Sequence, residues 1–447
     1  MHDTLKNKLY RRIIGLFDFI DELDDNDYFN NASNIAIKNY RTMVKYFIDH
    51  FSDIDIINYQ RLYLLINKRI IPDLRYVQRA KTRNIPWSLV SNLDEMLKEE
   101  FGKDYLLLFR PQWQFNFSVV TDDLVFYLKK TLLIFFPANK TEIDGIFSNE
   151  KIHIFSFPFL EKTNVLLNSV IGHEIGHFYH KRWEGNEYPR IRDEHNKELK
   201  DYYEKITSDD FFIAYEKTEE GLKILSGMYR EIISDIYGYF LFGPSIIFSL
   251  YDISIFETRP VLPSEKNGYY PATKYRIRIL VKYLLERDDG IKTLILADTE
   301  SSLYLKKYIE RMHQYLSTED DLQLFSNELY FEKRLFESSL DKIIDVVKKS
   351  ILGKHLEYSD IDKLFSKLGN GVPINELDNV PIDITKILFT GWIYFVKINE
   401  QYTGDEYVLN YQILMRLLLK SLHSSYIHKK YLKEAKMNHE CLVQGRN

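Results

Sequence analysis

Residues Asn164 to His180, NVLLNSVIGHEIGHFYH, set the architecture expected for the middle of the chain. They contain the motif HEIGH at residues 173–177, an HExxH sequence in an otherwise apolar segment. Residues four apart lie on one face of an α-helix, so both imidazoles can reach the same metal ion. Glu174 follows the first histidine and is placed to act as a general base on a metal-bound water. The segment therefore predicts a buried helix that carries part of a metal site.

Gly176 lies in the middle of this predicted helix. A glycine there costs about 1 kcal/mol relative to alanine. Such a glycine often permits the close approach of another element. We therefore expect a second element to pack tightly against this face of the helix.

His173 and His177 do not complete a zinc site, because a catalytic zinc takes three protein ligands and leaves one position open. The further candidates are His180, His195 and carboxylates that come later in the chain. His180 is three residues beyond His177 on the same helix, too far along the axis to share the ion easily. We therefore expect His180 at the surface or behind the ligands.

A second predicted helix, from about Thr218 to Phe242, supplies a better third ligand. Glu231 and Asp235 are four residues apart on it, in a largely apolar background. Charged residues on a buried helix are unusual unless they are paired or bind metal. We expect Glu231 to complete the site and Asp235 to accept the free N–H of a ligand histidine.

HExxH followed by ExxxD on a later helix resembles the gluzincin pattern of zinc metallopeptidases. Glu231 comes 54 residues after His177, and this spacing is similar to that of the CAAX-prenyl endopeptidase and heat-shock membrane peptidase group. The segment Tyr270–Ile277, YPATKYRI, is similar to the His-Pro segment and Arg-Ile pair of that group. The chain departs from the group in having Tyr270 in place of a histidine and in lacking transmembrane helices. The resemblance covers about residues 150–280.

The resemblance implies a hydrolase that cleaves peptide bonds with one Zn²⁺ per chain. The metal would be held by His173, His177 and Glu231, a donor set that suits zinc best among divalent ions. Glu174 would take the proton from the zinc-bound water and deliver it to the leaving amine.

The developing oxyanion also needs a hydrogen-bond donor besides the metal. The resemblance makes Tyr270 the candidate, and Tyr229 and His195 are the alternatives. For Arg276 the options are an ion pair with either carboxylate of the second helix or a position on a helix face.

Composition excludes several classes of protein. The chain has 447 residues, a net charge of −5 and a pI of about 6.2, which gives no basic footprint for a nucleic acid. Its single cysteine, Cys441, excludes an intrachain disulfide framework and a cysteine-based zinc site. It also fits a reducing compartment, so we expect a cytoplasmic protein. The N-terminal segment has no sustained apolar region and no small-residue cleavage site, which predicts no signal peptide.

The most apolar stretch, Tyr237 to Phe256, is long enough to suggest a membrane span. Gly243-Pro244 interrupts it in the middle, and Asp252 interrupts its second half. We therefore predict two buried helices and no stable membrane insertion.

The overall pattern predicts an α+β fold that is mainly α, with a zincin-like core between two helical regions. The predicted divisions are residues 1–104, helical; residues 105–288, the metallopeptidase-like core with a small sheet; and residues 289–447, helical.

Phe126 to Ala138 and Lys151 to Phe159 are rich in aromatic and aliphatic residues and predict strands of the small sheet. Ile152 to Phe157 is similar to the edge strand of the resembling group, to which an extended peptide could add as a further strand. The charged residues 184–210 predict either a helical insertion or a mobile lid.

Three function classes stay open from these residues. The first is a zinc peptidase that acts on a polypeptide. The second is a non-catalytic, metal-stabilised protein whose helical flanks bind a regulatory partner, although a purely structural zinc has no need of Glu174. The third is a metallohydrolase of a non-peptide amide, which a closed pocket in place of a long groove would favour.

Overall fold

The computed structural model describes residues 2–24, 28, 31–80, 85, 87–114, 117–120, 123–186, 188–207, 210–255, 270–317, 329–351 and 357–444. The fold is α+β and mainly α, as predicted. It divides into two compact units, Met1–Thr163 and Asn164–Asn447. This division falls inside the range 105–288 that the sequence pattern groups as one core.

The first unit contains seven α-helices and three strands among its described residues. The helices are α1 His2–Asp24, α2 Asn31–Asp49, α3 Tyr59–Leu65, α4 Ile71–Arg79, α5 Trp87–Phe101, α6 Leu124–Phe135 and α7 Lys140–Ile146, and the strands are β1 Tyr105–Gln112, β2 Ser118–Val120 and β3 Lys151–Pro158. Leu108 and Ile154 of the sheet join one apolar core with Ile20, Ile37 and Leu62 of the helices. The sheet therefore belongs with the N-terminal helices, because it buries its side chains against them.

β3 is the middle strand of the three-stranded sheet, whose order is β1-β3-β2. It pairs in parallel with β1 along its whole length and antiparallel with β2 from Ile154 to Ser156. The expectation that Ile152–Phe157 forms an unpaired edge is therefore wrong, and with it the argument that a peptide adds to this strand. All residues of β3 after Lys151 are buried, which fits a strand that is covered on both faces.

The predicted strand Phe126–Ala138 is also wrong, because most of it forms α6. Asp123 caps this helix by accepting hydrogen bonds from the backbone N–H groups of Val125 and Phe126. Leu128 and Leu132, one turn apart, are both buried. A short apolar run fits a strand and a buried helix equally well, and here the N-cap favours the helix.

The second unit contains eleven α-helices and a short hairpin among its described residues. The helices are α8 Ile171–Asn186, α9 Tyr188–Ile206, α10 Phe211–Phe242, α11 Ser245–Ser254, α12 Thr273–Tyr283, α13 Asp289–Leu296, α14 Glu300–Ser317, α15 Tyr330–Ser350, α16 Ile361–Gly369, α17 Ile384–Gln401 and α18 Gly404–Gln444, and the hairpin pairs β4 Glu376–Leu377 with β5 Val380–Pro381. The charged residues 184–210 lie mostly in α9, which packs against α8 and α10. Of the two options for this segment, the helix is the one observed.

α10 ends where the sequence predicts, at Gly243. Gly243 has φ of 63°, a left-handed backbone conformation that glycine adopts without steric cost. Pro244 follows and cannot continue the helix, so the apolar stretch restarts as the separate buried helix α11. No helix among the described residues is both long and apolar enough to cross a membrane.

α8 and α10 approach each other at glycines. A Cβ atom added to Gly176 would lie 2.5 Å from the Cα atom of Ser234, and one added to Gly238 would lie 2.9 Å from the carbonyl carbon of Gly172. These contacts pair later residues of α8 with earlier residues of α10, so the two helices run in opposite directions. The close approach expected at Gly176 is confirmed, and α10 is the element that makes it.

We predict that Gly176→Ala lowers the free energy of unfolding by about 2–3 kcal/mol, because its methyl group has no space against the Ser234 backbone. Gly185→Ala is the matched control, since no atom lies within 4 Å of its added Cβ on the same helix. The control should be neutral or slightly stabilising, as alanine favours helix. Denaturant unfolding of both variants measures this, and equal stability of the two would show that the close approach is not required.

Candidate metal centre

The two helices bring His173, His177 and Glu231 together. Each offers one ligand atom, and the three atoms lie within 4.8 Å of one another. His173 Nε2 is 3.4 Å from Glu231 Oε2. Ligands of a tetrahedral zinc with bonds of 2.0–2.1 Å are separated by about 3.3 Å. Within the described part of the chain, this is the one group of three or more His, Cys, Asp or Glu side chains that could hold a metal ion.

Asp235 fixes the orientation of His173. Its Oδ1 lies 2.7 Å from His173 Nδ1, and its side chain is fully buried. Because a carboxylate accepts hydrogen bonds, Nδ1 carries a proton, and Nε2 is the ring nitrogen that faces Glu231. Asp235 therefore makes the contact expected from the sequence, in which it accepts a hydrogen bond from a histidine of the HExxH motif.

Ser234 plays the matching part for His177 and was missed from the sequence. Its Oγ donates a hydrogen bond of 2.7 Å to the carbonyl of Arg230 and lies 3.0 Å from His177 Nδ1. A hydroxyl has one hydrogen, so Ser234 accepts from His177 Nδ1–H. Nε2 of His177 is then the free lone pair. The one feature of the sequence that could have pointed to Ser234 is its position between Glu231 and Asp235 on α10.

Arg276, on α12, joins this network. Its Nε and Nη2 donate bidentate hydrogen bonds of 2.8 and 2.7 Å to the two oxygens of Asp235. Its Nη1 is 3.6 Å from Glu231 Oε2. Of the options left open by the sequence, the ion pair with the carboxylates of α10 is the one observed.

The ionisable side chains of this site shift one another's pKa values. Burial raises the pKa of Glu231, but His173 and Arg276 outweigh it and hold the value at about 2. Burial and the charge of Arg276 lower the pKa of His173, but the carboxylates of Asp235 and Glu231 outweigh them and raise it. Burial and the neighbouring His173 lower the pKa of His177 to about 3. A metal and a proton compete for the same lone pair, so uptake of a metal at His173 would be coupled to proton release.

The donor set fits a zinc ion. Glu231 Oε1 is buried and has no hydrogen-bond partner among the described residues. Arg230 Nε forms an ion pair with this oxygen at 3.5 Å but no hydrogen bond, and a bound metal ion would supply the direct partner that a buried carboxylate oxygen otherwise lacks. Two neutral imidazoles and one carboxylate, each held by further hydrogen bonds, are ligands that zinc favours.

Glu174 and Tyr270 lie at the border of this group. Glu174 is buried on α8, and its charge acts on both Arg276 and Tyr270. Tyr270 is 42% exposed. Burial and the charge of Glu231 raise the pKa of Tyr270, so its phenol stays protonated and can donate a hydrogen bond.

The alternative candidates make other contacts. His195 Nε2 is 2.9 Å from Ser339 Oγ, and its Nδ1 is 3.3 Å from the hydroxyl of Tyr229. His195 and Tyr229 therefore bond to each other and do not join the metal-ligand group. His180 is buried and tilts against Trp183, with ring centroids 5.8 Å apart.

No protein-family model matches the chain, and neither a curated protein nor a solved structure matches it. The resemblance to gluzincins stays one of motif and spacing, and a function has to be argued from the site itself.

We predict that the purified protein binds one equivalent of zinc and that His177→Ala and Glu231→Ala lose it, because each variant leaves two ligands. His180→Ala is the matched control on α8, since His180 is buried but is not one of the clustered ligands. It should keep its zinc. Elemental analysis measures this, and zinc retained by Glu231→Ala would move the third ligand elsewhere.

We predict that His195 makes the metal-free protein sensitive to acid. Burial lowers the pKa of His195 to about 4, so between pH 6.5 and 4 the unfolded chain binds more protons than the folded one. Stability that is present above pH 6.5 is therefore lost as the pH falls through this window. His195→Gln cannot titrate and should lose less stability from pH 7 to pH 5. Thermal unfolding across this range measures the difference, and parallel curves would contradict the prediction.

Proposed function

We propose that this chain is a zinc-dependent peptidase of the gluzincin type. The observation that carries the proposal is the convergence of His173, His177 and Glu231, with Glu174 next to the first ligand. A site that held zinc only for stability would need no carboxylate at that position. A polypeptide substrate follows from the motif resemblance, and a cytoplasmic location is proposed from the single cysteine.

A bound Zn²⁺ would supply Lewis acidity and lower the pKa of a water molecule. Glu174 accepts the proton of the attacking water and returns it to the amine that leaves, so one carboxylate acts first as base and then as acid. Tyr270 donates a hydrogen bond to the oxyanion that develops on the substrate carbonyl.

The other residues of the site hold this arrangement in place. Asp235 and Ser234 keep the two histidines in the tautomer that binds metal. Arg276 neutralises Asp235 through its bidentate contact, which makes a buried carboxylate tolerable. The ligands are therefore oriented before the metal binds, and less free energy is spent on ordering them.

We predict that Glu174→Gln keeps its zinc and its fold but cleaves peptides about 10²–10⁴-fold more slowly, because an amide cannot accept the proton. The assay is mass spectrometry of a peptide library incubated with the zinc-loaded protein. Glu184→Gln makes the same substitution on an exposed residue of the same helix and should retain full activity.

One control and two contrary outcomes complete the test. Cleavage has to stop on chelation and return with added zinc, which assigns it to the metal site. Cleavage by Glu174→Gln at the wild-type rate would remove Glu174 as the base. No cleavage of any peptide by the zinc-loaded wild type would refute the peptidase proposal.

A further inference from the structure

Arg230 is the positively charged residue directly before the ligand Glu231 on α10. Its Nε lies 3.5 Å from Glu231 Oε1, the oxygen turned away from His173. This Nε is buried and has no hydrogen-bond partner among the described residues. The side chain as a whole is 40% exposed. Arg230 thus extends from the metal ligands towards solvent.

The two arginines of the site differ in how their charge is compensated. Arg276 makes a bidentate ion pair with the buried carboxylate of Asp235. The ion pair described for Arg230 is the longer contact with Glu231. A divalent cation at the ligands would draw the charge of Glu231 to itself and leave less of it to compensate the charge of Arg230.

Tyr270 restricts where the guanidinium of Arg230 can lie. The Cζ atom of Arg230 is 4.7 Å from the centroid of the Tyr270 ring. A guanidinium held over an aromatic face keeps its planar set of N–H donors in one orientation. An arginine arranged in this way is suited to a carboxylate, which it can bind through two parallel hydrogen bonds.

We propose that Arg230 is a specificity-determining residue that binds a carboxylate of the substrate close to the cleaved bond. The carboxylate has two possible sources, an acidic side chain or the free C-terminus of the peptide. This inference rests on the proposed peptidase function and adds the substrate class: acidic peptides or peptides cut near their C-terminus.

The test measures binding as well as cleavage. Zinc-loaded Glu174→Gln protein is titrated with short matched peptides that carry Glu or Gln at one position and a free or amidated C-terminus. A carboxylate bound by Arg230 should tighten binding about 10- to 100-fold over the matched amide. The Glu/Gln pair and the acid/amide pair separate the two sources of the carboxylate.

Variants of Arg230 separate substrate binding from support of the metal ligand. Arg230→Gln should abolish the preference for the carboxylate, and Arg230→Lys should restore part of it, because lysine keeps the charge but not the two parallel donors. Lys223→Gln removes an exposed charge from the same helix and should keep the full preference. If Arg230 only supported Glu231, its removal would weaken all peptides equally and reduce zinc content.

The possible outcomes are distinct from those of the peptidase test. Equal affinity for acid and amide peptides, no binding of any carboxylate peptide, or a preference that survives in Arg230→Gln overturns the assignment. Cleavage by the wild type without a charge preference would overturn the role of Arg230 but leave the peptidase proposal standing. A preference for carboxylate peptides in binding without any cleavage would overturn the peptidase proposal but leave the role of Arg230 standing.

Discussion

The contact between α8 and α10 at their small residues is the constraint on which the site depends. A side chain at Gly176 or Gly172 would separate the helices, and the two histidines of α8 would then move away from Glu231 on α10. The same short separation places Ser234 and Asp235 against the two histidines. Each glycine weakens its helix locally by about 1 kcal/mol, and that cost is offset by a buried polar cluster that forms only at this distance.

The parts of this structure that the sequence could predict depend on local periodicity. The spacing of four residues places His173 with His177, and Glu231 with Asp235, on one face of each helix, whatever the rest of the fold does. Gly243 and Pro244 end α10 by their own backbone preferences. The mainly helical fold follows from the same kind of pattern, repeated over many segments.

The features that the sequence could not predict depend on which other segment each strand or helix packs against. β3 has a pattern that fits an edge or a middle strand, and only its pairing with both β1 and β2 decides between them. Ser234 looks like an ordinary residue of α10 and gains its significance from the antiparallel register with α8. Arg230 looks equally ordinary and gains its own from Tyr270, over whose ring its guanidinium lies. The pairing of His195 with Tyr229 likewise depends on the packing of α9 against α10, which no short motif reports.

The two histidines are held by partners of different chemical strength. A buried carboxylate that accepts from Nδ1 pushes electron density onto the opposite nitrogen of His173, whereas the neutral hydroxyl beside His177 does so far less. The two imidazoles therefore differ in electron density, although both belong to the same HExxH motif. A bound metal would therefore be held more firmly by His173 than by His177.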